Sequence, residues 1–495
     1  MTVDQLIEFC DPVSILGEKP KTLGNLCQDS REVEQGDIFI AVKGFKSDGH
    51  NFIREALNRK AGVIICEKEV PTDNNTLFLI VNSTRKLLGP LAQEMAGNPA
   101  EKLTIVGITG TNGKTTVATL VWQILIEMNQ KASLLGTVGK RVNQEVLKSR
   151  LTTADPIELA ADMKQMVDAE SQYLVMEVSS HALDQERVVG IPFDVAAFTN
   201  LSHDHLDYHK SMNEYAEAKK KLFNSLGSQS WAITNADDEK GEWITNSTPA
   251  RVLSFSFKGN GLINASVLKS DAAGMTIEVD GTEFETPLVG QFNAYNVVQA
   301  LLICTALGLD GSKVAEKLKN CTGAPGRMER VNSPDTIDSE PIVFVDYAHT
   351  PNALENVAET LKGLKKREEK LLILFGCGGD RDKTKRPEMA RIAETWANRV
   401  VVTSDNPRTE KPEAIIDDII EGFEKPEKVT TIVSREDAIR KVIAEADNKT
   451  IILIAGKGHE TYQEIHGERY HFDDREIARK ALAARNNHPK NEEVA

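Results

Sequence analysis

Ten residues, Gly107-Ile108-Thr109-Gly110-Thr111-Asn112-Gly113-Lys114-Thr115-Thr116, carry the clearest chemistry in the chain. A short apolar run, 103–106, precedes them and a helical pattern, 117–125, follows, so a glycine-rich turn joins a strand to a helix. In that setting the turn's backbone N–H groups cradle phosphate oxygens and the helix dipole adds positive potential. Lys114 reaches toward β- and γ-phosphates, and the Thr115 hydroxyl suits Mg²⁺. A strict phosphate-loop pattern wants a glycine where Ile108 stands; here the glycines fall at 107, 110 and 113. The ligand this turn predicts is ATP with magnesium.

Two further polar clusters follow apolar strands. Tyr173 to Val178 runs into Ser179-Ser180-His181, and Phe193 to Asn200 runs into Ser202-His203-Asp204-His205-Leu206-Asp207-Tyr208-His209. Ligands of open α/β sheets gather at the carboxyl ends of strands, which makes Glu177 and His205 candidate metal or γ-phosphate-side groups. The three histidines suggest zinc, but no cysteine lies beside them and an ATP site calls for magnesium, which prefers oxygen ligands. On the next helix, 212–226, Tyr215, Ala218, Leu222 and Phe223 form the apolar face. Lys219 falls within that stripe, while Lys220 and Lys221 point away. A lysine on a buried face is paired, shifted in pKa, modified or snorkelling.

The elements that position these groups divide into three stretches. Residues 1–98 read as a small α/β domain, with strands over 37–42 and 61–66 and a helix over 51–59; Asp29-Ser30-Arg31 is a polar loop there. Gly97-Asn98-Pro99 marks a boundary, and residues 99–330 form the nucleotide domain, with hairpin-like alternation over 251–289. Gly290 to Asn296 leads into a helix over 297–307, so Asn293 and Asn296 sit at a helix start. Gly323 to Glu329 is a turn that presents Arg327 and makes a natural hinge. From 331 to 495 the pattern strand, loop, helix repeats four times. The strands over 342–345, 371–375, 399–403 and 450–455 lead to Asp346-Tyr347-Ala348-His349, Gly376 to Asp382, Ser404-Asp405-Asn406-Pro407-Arg408 and Gly456-Lys457-Gly458-His459-Glu460. A parallel sheet would gather all four on one edge. Arg381 and Arg408 suit bidentate carboxylate recognition.

The bulk properties set bounds. With 495 residues the chain exceeds one domain. A net charge of −15 argues against a nucleic-acid or anionic-membrane surface. No apolar run is long enough to span a bilayer, and no secretory leader is legible at the N-terminus. Six cysteines without C-x-x-C spacing fit reduced thiols. The expected protein is a cytoplasmic monomer with small-molecule partners, no nucleic acid and no membrane insertion. The residues by themselves predict an ATP-using enzyme whose acceptor carries a carboxylate. Ligation through an acyl phosphate is one reading; an ATP-driven conformational switch is another, and it leaves the third-stretch motifs without a use.

In combination, these motifs resemble the Mur ligase family: Gly110 to Thr116, Glu177 to His181, Asp204 to His209, Asn293 with Asn296, Gly326 to Glu329, Asp346 to His349, Asp405 to Arg408 and Gly456 to Glu460. The resemblance spans nearly the whole chain. It implies an N-terminal UDP-binding domain, a central P-loop ATPase-type domain with a mostly parallel sheet, and a C-terminal Rossmann-like doubly wound domain that closes to bring the amine in line. It also implies ATP- and Mg²⁺-dependent addition of an amino acid to UDP-MurNAc-L-Ala-D-Glu in peptidoglycan synthesis. Carried over by position, Gly110, Thr111, Asn112, Gly113, Lys114, Thr115 and Thr116 hold ATP, with Asn293 and Asn296 near adenine and Arg327 and Asp346 in support. Thr115, Glu177, His205 and Lys219 serve the metal ions, Lys219 as N6-carboxylysine. Ser30, Thr152, Thr153, Ser179, Gln185 and Arg187 hold the UDP-MurNAc-dipeptide; Leu151 replaces a common asparagine. Arg381, Asp405, Asn406, Pro407, Arg408, Gly456 and Glu460 take the incoming amino acid. Family members with Asp-Asn-Pro-Arg add meso-diaminopimelate, whose second carboxylate needs a cation, and lysine would leave Arg408 buried and unpaired at about 2–5 kcal/mol. An L-lysine-adding ligase is the alternative within the family, and a folylpolyglutamate-synthase-like relative leaves the N-terminal stretch and Arg408 unused.

Overall fold

A computed structural model describes residues 1–44, 47–68, 75–147, 151–332 and 340–486. The chain forms two units, Met1–Asn264 with Gln299–Gly311, and Ala265–Val298 with Ser312–Ala495.

In the first unit, the N-terminal stretch folds as a five-stranded sheet. Strands Leu26–Cys27, Ile38–Ile40, Val63–Cys66 and Leu77–Ile80 run parallel, and Ser14–Leu16 closes the edge antiparallel. Residues 63–66 and 77–80 are almost wholly shielded from solvent on both faces, as continuous Val/Ile/Leu/Phe runs require in a covered parallel sheet. The expected helix over 51–59 is a 3₁₀ turn, Gly49–Phe52, followed by a helix, Ile53–Asn58, because the Asp48 side chain accepts the His50 N–H and caps a tight turn first.

The phosphate-loop strand, Thr104–Thr109, lies centrally in a second sheet. Tyr173–Glu177 pairs with it on one side and Val195–Phe198 on the other, both parallel. Trp231–Asn235 and Arg251–Ser256 extend the sheet beyond Val195–Phe198, and Ala132–Gly136 extends it beyond Tyr173–Glu177. Glu177 is level with Ile108, and Phe198 with Thr109, so both polar clusters emerge beside the loop. The helix after the loop, Lys114–Glu127, has Val117, Leu120, Val121, Ile124 and Leu125 buried.

In the second unit, Gly274–Val279 and Thr282–Thr286 form a hairpin joined by Ile263–Asp271, and the C-terminal stretch forms a six-stranded sheet. Ile342–Asp346, Thr450–Ala455, Lys370–Phe375, Arg399–Val402 and Thr430–Thr431 are parallel in that spatial order, with Glu329–Val331 antiparallel at one edge. The last motif strand is thus inserted between the first two, and all four loops meet on one edge. The repeat of strand, loop and helix breaks at its fourth copy. A hairpin, Tyr462–Ile465 with Glu468–His471, intervenes before the helix Asp474–Asn486, and its two-residue turn His466-Gly467 has φ of 50° and 83°, as a type I′ connection requires. Among the described residues no helix is long and apolar enough to cross a membrane.

Candidate functional site

The phosphate loop is held from the neighbouring strand end. Thr111 donates its N–H to Asn200 O (2.8 Å), Asn112 donates to Asn200 Oδ1 (2.9 Å), and the Thr199 hydroxyl donates to Asn112 O (2.6 Å). Two of the loop's amides therefore serve to shape it, which leaves the helix's N-terminal amides and dipole as the candidates for phosphate. Gly110 and Gly113 have φ of 150° and 85°, and a Cβ on Gly110 would lie 1.9 Å from Thr199 Oγ1. Lys114 Nζ donates to Gly110 O (2.9 Å) and Thr111 O (2.8 Å), folded over the loop it serves.

On the other side, Glu177 is buried at the end of its strand. Its Oε2 accepts from the Thr115 hydroxyl (2.9 Å) and from the Thr137 hydroxyl (3.2 Å), and its Oε1 accepts from Thr137 N (2.7 Å). A Cβ on Gly136 would lie 2.3 Å from Glu177 Oε1, so the carboxylate occupies a cradle that only glycine leaves open. A hydroxyl and a carboxylate at the foot of a phosphate loop fit Mg²⁺, which keeps waters and takes one or two protein oxygens plus phosphate. Among the described residues no cluster of three or more His, Cys, Asp or Glu forms a metal cage.

Lys219 is fully buried, as its place on the wheel predicts. Its Nζ donates to Gly110 O (2.7 Å) and lies 4.3 Å from the Tyr215 ring centroid. Burial, reinforced by the nearby Lys114 ammonium, holds its pKa well below that of an ordinary lysine. Tyr215 belongs to a ring cluster with His181, His205, His209 and Tyr208; His205 meets His181 edge-on at 5.0 Å. Burial, helped by His181, pulls His209 down to about 4, and its Nε2 meets Ser180 Oγ at 2.9 Å, so it is a neutral packing residue. Lys220 corrects the helical-wheel reading: it is buried too, donating to Trp243 O (3.0 Å) and Asn246 Oδ1 (2.6 Å) and lying 4.2 Å from the Trp243 ring. The wheel places it off the main stripe, but the helix Gly241–Thr245 packs there and supplies a carbonyl, an amide and an indole face.

The residues carried over for the UDP-MurNAc-dipeptide form one connected set. Thr153 Oγ1 donates to Glu177 O (2.8 Å) and accepts from Ser179 N (3.2 Å), while Thr152 and Thr137 share a hydroxyl contact at 3.1 Å. Arg187 donates to Thr153 O (2.9 Å) and to Gln185 Oε1 (2.6 Å). Ser30, Gln185 and Arg187 line a single cavity of about 630 Å³, with Arg31 and Arg85 also on its wall. Ser30 is itself bonded to Glu55 Oε2 (2.7 Å).

In the second unit, Asn293 Nδ2 donates to Val289 O (2.9 Å) and Asn296 Nδ2 to Asn293 Oδ1 (3.1 Å). Both asparagines lie inside the helix Gln291–Ala306 and not ahead of it, since the helix starts six residues before 297. Asp346 is buried and accepts from Met328 N (2.6 Å) and Ala348 N (2.8 Å); burial raises its pKa against the opposing pull of Arg327. The Arg327 guanidinium lies 4.8 Å from the Tyr347 ring, and its Nε is buried without a hydrogen-bond partner among the described residues.

On the motif edge, Asn406 Nδ2 donates to Glu460 Oε2 (2.8 Å), and a Cβ on Gly456 would lie 2.6 Å from Asp405 Oδ2. Arg408 has φ 51°, fixed by Arg408 N to Glu464 O (3.0 Å) and His466 N to Arg408 O (2.7 Å), so the intervening hairpin buttresses the Asp-Asn-Pro-Arg turn. Its Nη1 donates to Gly379 O (2.7 Å) and it is only half-buried. This corrects the expectation of a buried guanidinium left unpaired when no carboxylate is present. Arg381 is exposed on its loop; Pro407 turns the chain toward it, its carbonyl facing Gly379. Glu410 laces the two arginine loops together, accepting from Asp380 N (2.7 Å) and the fully buried Arg386 (2.9 Å).

Sequence reasoning missed Thr137, Gly136, Asn200, Arg386, Glu410 and Lys457. Asn200 and Lys457 stood inside quoted motifs; the others come from segments with no motif of their own.

A fold with a phosphate loop flanked by two polar strand ends, followed by a doubly wound sheet with four motif loops, is a ligase architecture. The chain belongs to the Mur ligase family: residues 23–94 match its catalytic domain, 108–304 the Mur ligase middle domain and 326–458 the glutamate ligase domain. Two relatives named UDP-N-acetylmuramoyl-L-alanyl-D-glutamate–2,6-diaminopimelate ligase are similar over nearly full length. The one from Bacillus licheniformis is 40% identical, covering 97% of this chain and 99% of that protein; the one from Aquifex aeolicus is 41% identical, covering 93% and 94%. A solved structure of a ligase of that name matches with a TM-score of 0.72 at 33% identity, covering 98% and 99%. MurF from Acinetobacter baumannii, at 18% identity and a TM-score of 0.58, shares the fold.

Proposed function

We propose that this chain is an ATP-dependent ligase that joins meso-2,6-diaminopimelate to UDP-N-acetylmuramoyl-L-alanyl-D-glutamate, releasing ADP and phosphate, in peptidoglycan precursor synthesis. The observation that carries the choice of amino acid is Arg408, whose backbone is pinned on the motif edge beside the bonded Asn406 and Glu460. The full-length similarity to ligases of that name supports it.

In this reading residues 1–98 bind the UDP moiety, 99–330 bind ATP and 331–495 bind the amino acid. ATP phosphates sit on Gly110 to Thr116 under Lys114, with Asn293, Asn296, Arg327 and Asp346 completing the nucleotide contacts. A glutamate carboxylate oxygen attacks the γ-phosphorus, and ADP leaves. The diaminopimelate amine then attacks the acyl carbon, loses a proton, and phosphate departs. Lys114 neutralises charge that develops on the transferred phosphoryl group. Thr115 and Glu177 would hold one Mg²⁺, and His205 with a carbamylated Lys219 another; such ions screen phosphate charge. Lys219 suits carbamylation because burial and the nearby Lys114 ammonium lower its pKa, which favours the neutral amine that reacts with CO₂. Ser30, Thr152, Thr153, Ser179, Gln185 and Arg187 orient the UDP-sugar dipeptide. A cytoplasmic setting accords with six cysteines that form no disulfide.

The test is phosphate release from ATP with UDP-MurNAc-L-Ala-D-Glu and either meso-diaminopimelate, L-lysine or no amino acid. Stimulation by diaminopimelate alone is expected. Stimulation by lysine would keep the ligase and overturn its specificity; equal release in all three would mean an ATP-driven switch.

A further inference from the structure

Among the described residues of the second unit the most completely buried ammonium belongs to Lys457, which lies inside the Gly-Lys-Gly-His-Glu motif and carries no role in the reading above. Its Nζ donates to Asn406 Oδ1 (3.0 Å) and to Glu460 Oε2 (3.0 Å). Asn406 closes the triangle by donating its Nδ2 to the same Glu460 oxygen (2.8 Å). A second donor, Glu464 N, reaches Asn406 Oδ1 (3.0 Å) from the hairpin. The rings of Tyr462 and Phe472 lie 5.5 and 6.0 Å from the ammonium.

This arrangement has a directional consequence. The amide of Asn406 has two faces that differ only in donor and acceptor character, and two cationic or N–H donors on one atom fix that atom as oxygen. Its Nδ2 must then face Glu460. Both donors converge on Glu460 Oε2, and among the described residues Oε1 accepts none. The carboxylate is thereby held in one rotamer with Oε2 spent internally, which leaves Oε1 as the oxygen for a substrate ammonium. A buried lysine also demands its counter-charge, and Glu460 is that charge.

We propose that Lys457 is a positioning residue for the amino-acid site: it fixes the orientation of Asn406 and reserves one oxygen of Glu460 for an ammonium group of the incoming diamino acid. The inference rests on the diaminopimelate-ligase reading. Its consequence is that recognition of a substrate amino group, as distinct from a carboxylate, depends on a side chain that does not touch the substrate. Loss of Lys457 removes one of the two donors on Asn406 Oδ1 and the ammonium that holds Glu460 Oε2, which loosens Asn406 and lets Glu460 rotate, so amino-group selectivity falls while nucleotide binding is unaffected.

The experiment compares wild type with Lys457→Met and Lys457→Gln in steady-state ligation, varying meso-diaminopimelate, ATP and the UDP-sugar dipeptide in turn, and then replacing diaminopimelate by 2-aminopimelate, which lacks one ammonium. In Lys457→Met the KM for diaminopimelate is expected to rise about tenfold, as for loss of a charge-assisted contact, with both other KM values unchanged. Its preference for diaminopimelate over 2-aminopimelate is expected to fall by a similar factor. Lys457→Gln keeps N–H donors without the charge and is expected to recover part of that preference; it also serves if the methionine variant does not fold. Equal rises in all three KM values, or an unchanged preference between the two amino acids, would overturn the proposal while leaving the ligase reading intact. Failure of the wild type to use diaminopimelate would overturn that reading, and this inference with it.

Discussion

Arg408→Ala is the sharpest single probe of substrate choice. Arg408 already occupies left-handed backbone, φ 51°, held by its N–H donating to Glu464 O and its carbonyl accepting from His466 N, and alanine meets the same backbone constraint, so the loop keeps its path. What is removed is a half-buried guanidinium with one donor on Gly379 O. Gly379 is buried, so leaving its carbonyl without this donor costs about 1–3 kcal/mol of stability, and the melting temperature is measured alongside. A charge-assisted hydrogen bond to a distal carboxylate is worth about 1.5–3 kcal/mol, so the KM for diaminopimelate should rise by roughly 10- to 150-fold. Lysine has no distal carboxylate and loses nothing by the substitution. Because the guanidinium has a carbonyl partner when the site holds lysine, wild-type discrimination should sit at the lower end of the range for a buried unpaired charge, about 2 kcal/mol. The assay is coupled phosphate release with each amino acid over a concentration series, reporting the ratio of the two kcat/KM values. The expected result is a collapse of that ratio toward one. An unchanged ratio would refute the argument, and a parallel loss for both amino acids would assign Arg408 to loop architecture.

Three other perturbations bear on the rest of the site. Gly136→Ala places a Cβ 2.3 Å from Glu177 Oε1 and must push the carboxylate out of its cradle; kcat should fall about a hundredfold, as for a small misplacement of a catalytic group, with the melting temperature measured alongside to separate a folding defect. Lys219 should show a carbamate carbon resonance in labelled bicarbonate, absent in Lys219→Ala and lost on acidification as the amine takes a proton; its absence from the active wild-type enzyme would remove the modification from the mechanism. The Glu410 carboxyl is held down at about 2 from 4.5 by Arg386 and the Asp380 N–H. With the folded value below the unfolded one, its stabilisation is complete above about pH 4.5 and is lost as pH falls toward 2. Melting temperatures of Glu410→Gln should therefore decline less steeply than wild type across that window, and parallel declines would contradict the assignment.

Much of this molecule was open to inspection as a string of residues. The phosphate loop, its strand and its helix follow from glycine spacing and an apolar run, which are local. Four motif loops on one edge follow from repeated strand-and-helix patterning, because parallel strands in a doubly wound sheet all end on the same side. Burial of Lys219 follows from helical periodicity.

The structure alone decided what depends on partners distant in the chain. Lys220 is buried because a helix some twenty residues later covers it, and no wheel contains that helix. The Thr115–Glu177 contact spans 62 residues and joins segments at the ends of two adjacent strands; the Lys457–Asn406 contact spans 51 and joins loops whose strands have Lys370–Phe375 between them. The hairpin that fixes Arg408 interrupts the expected strand, loop and helix repeat, and its pairing with residue 408 is a choice among many edges. Periodicity tells a residue which face it is on; only the packed chain tells it what is there.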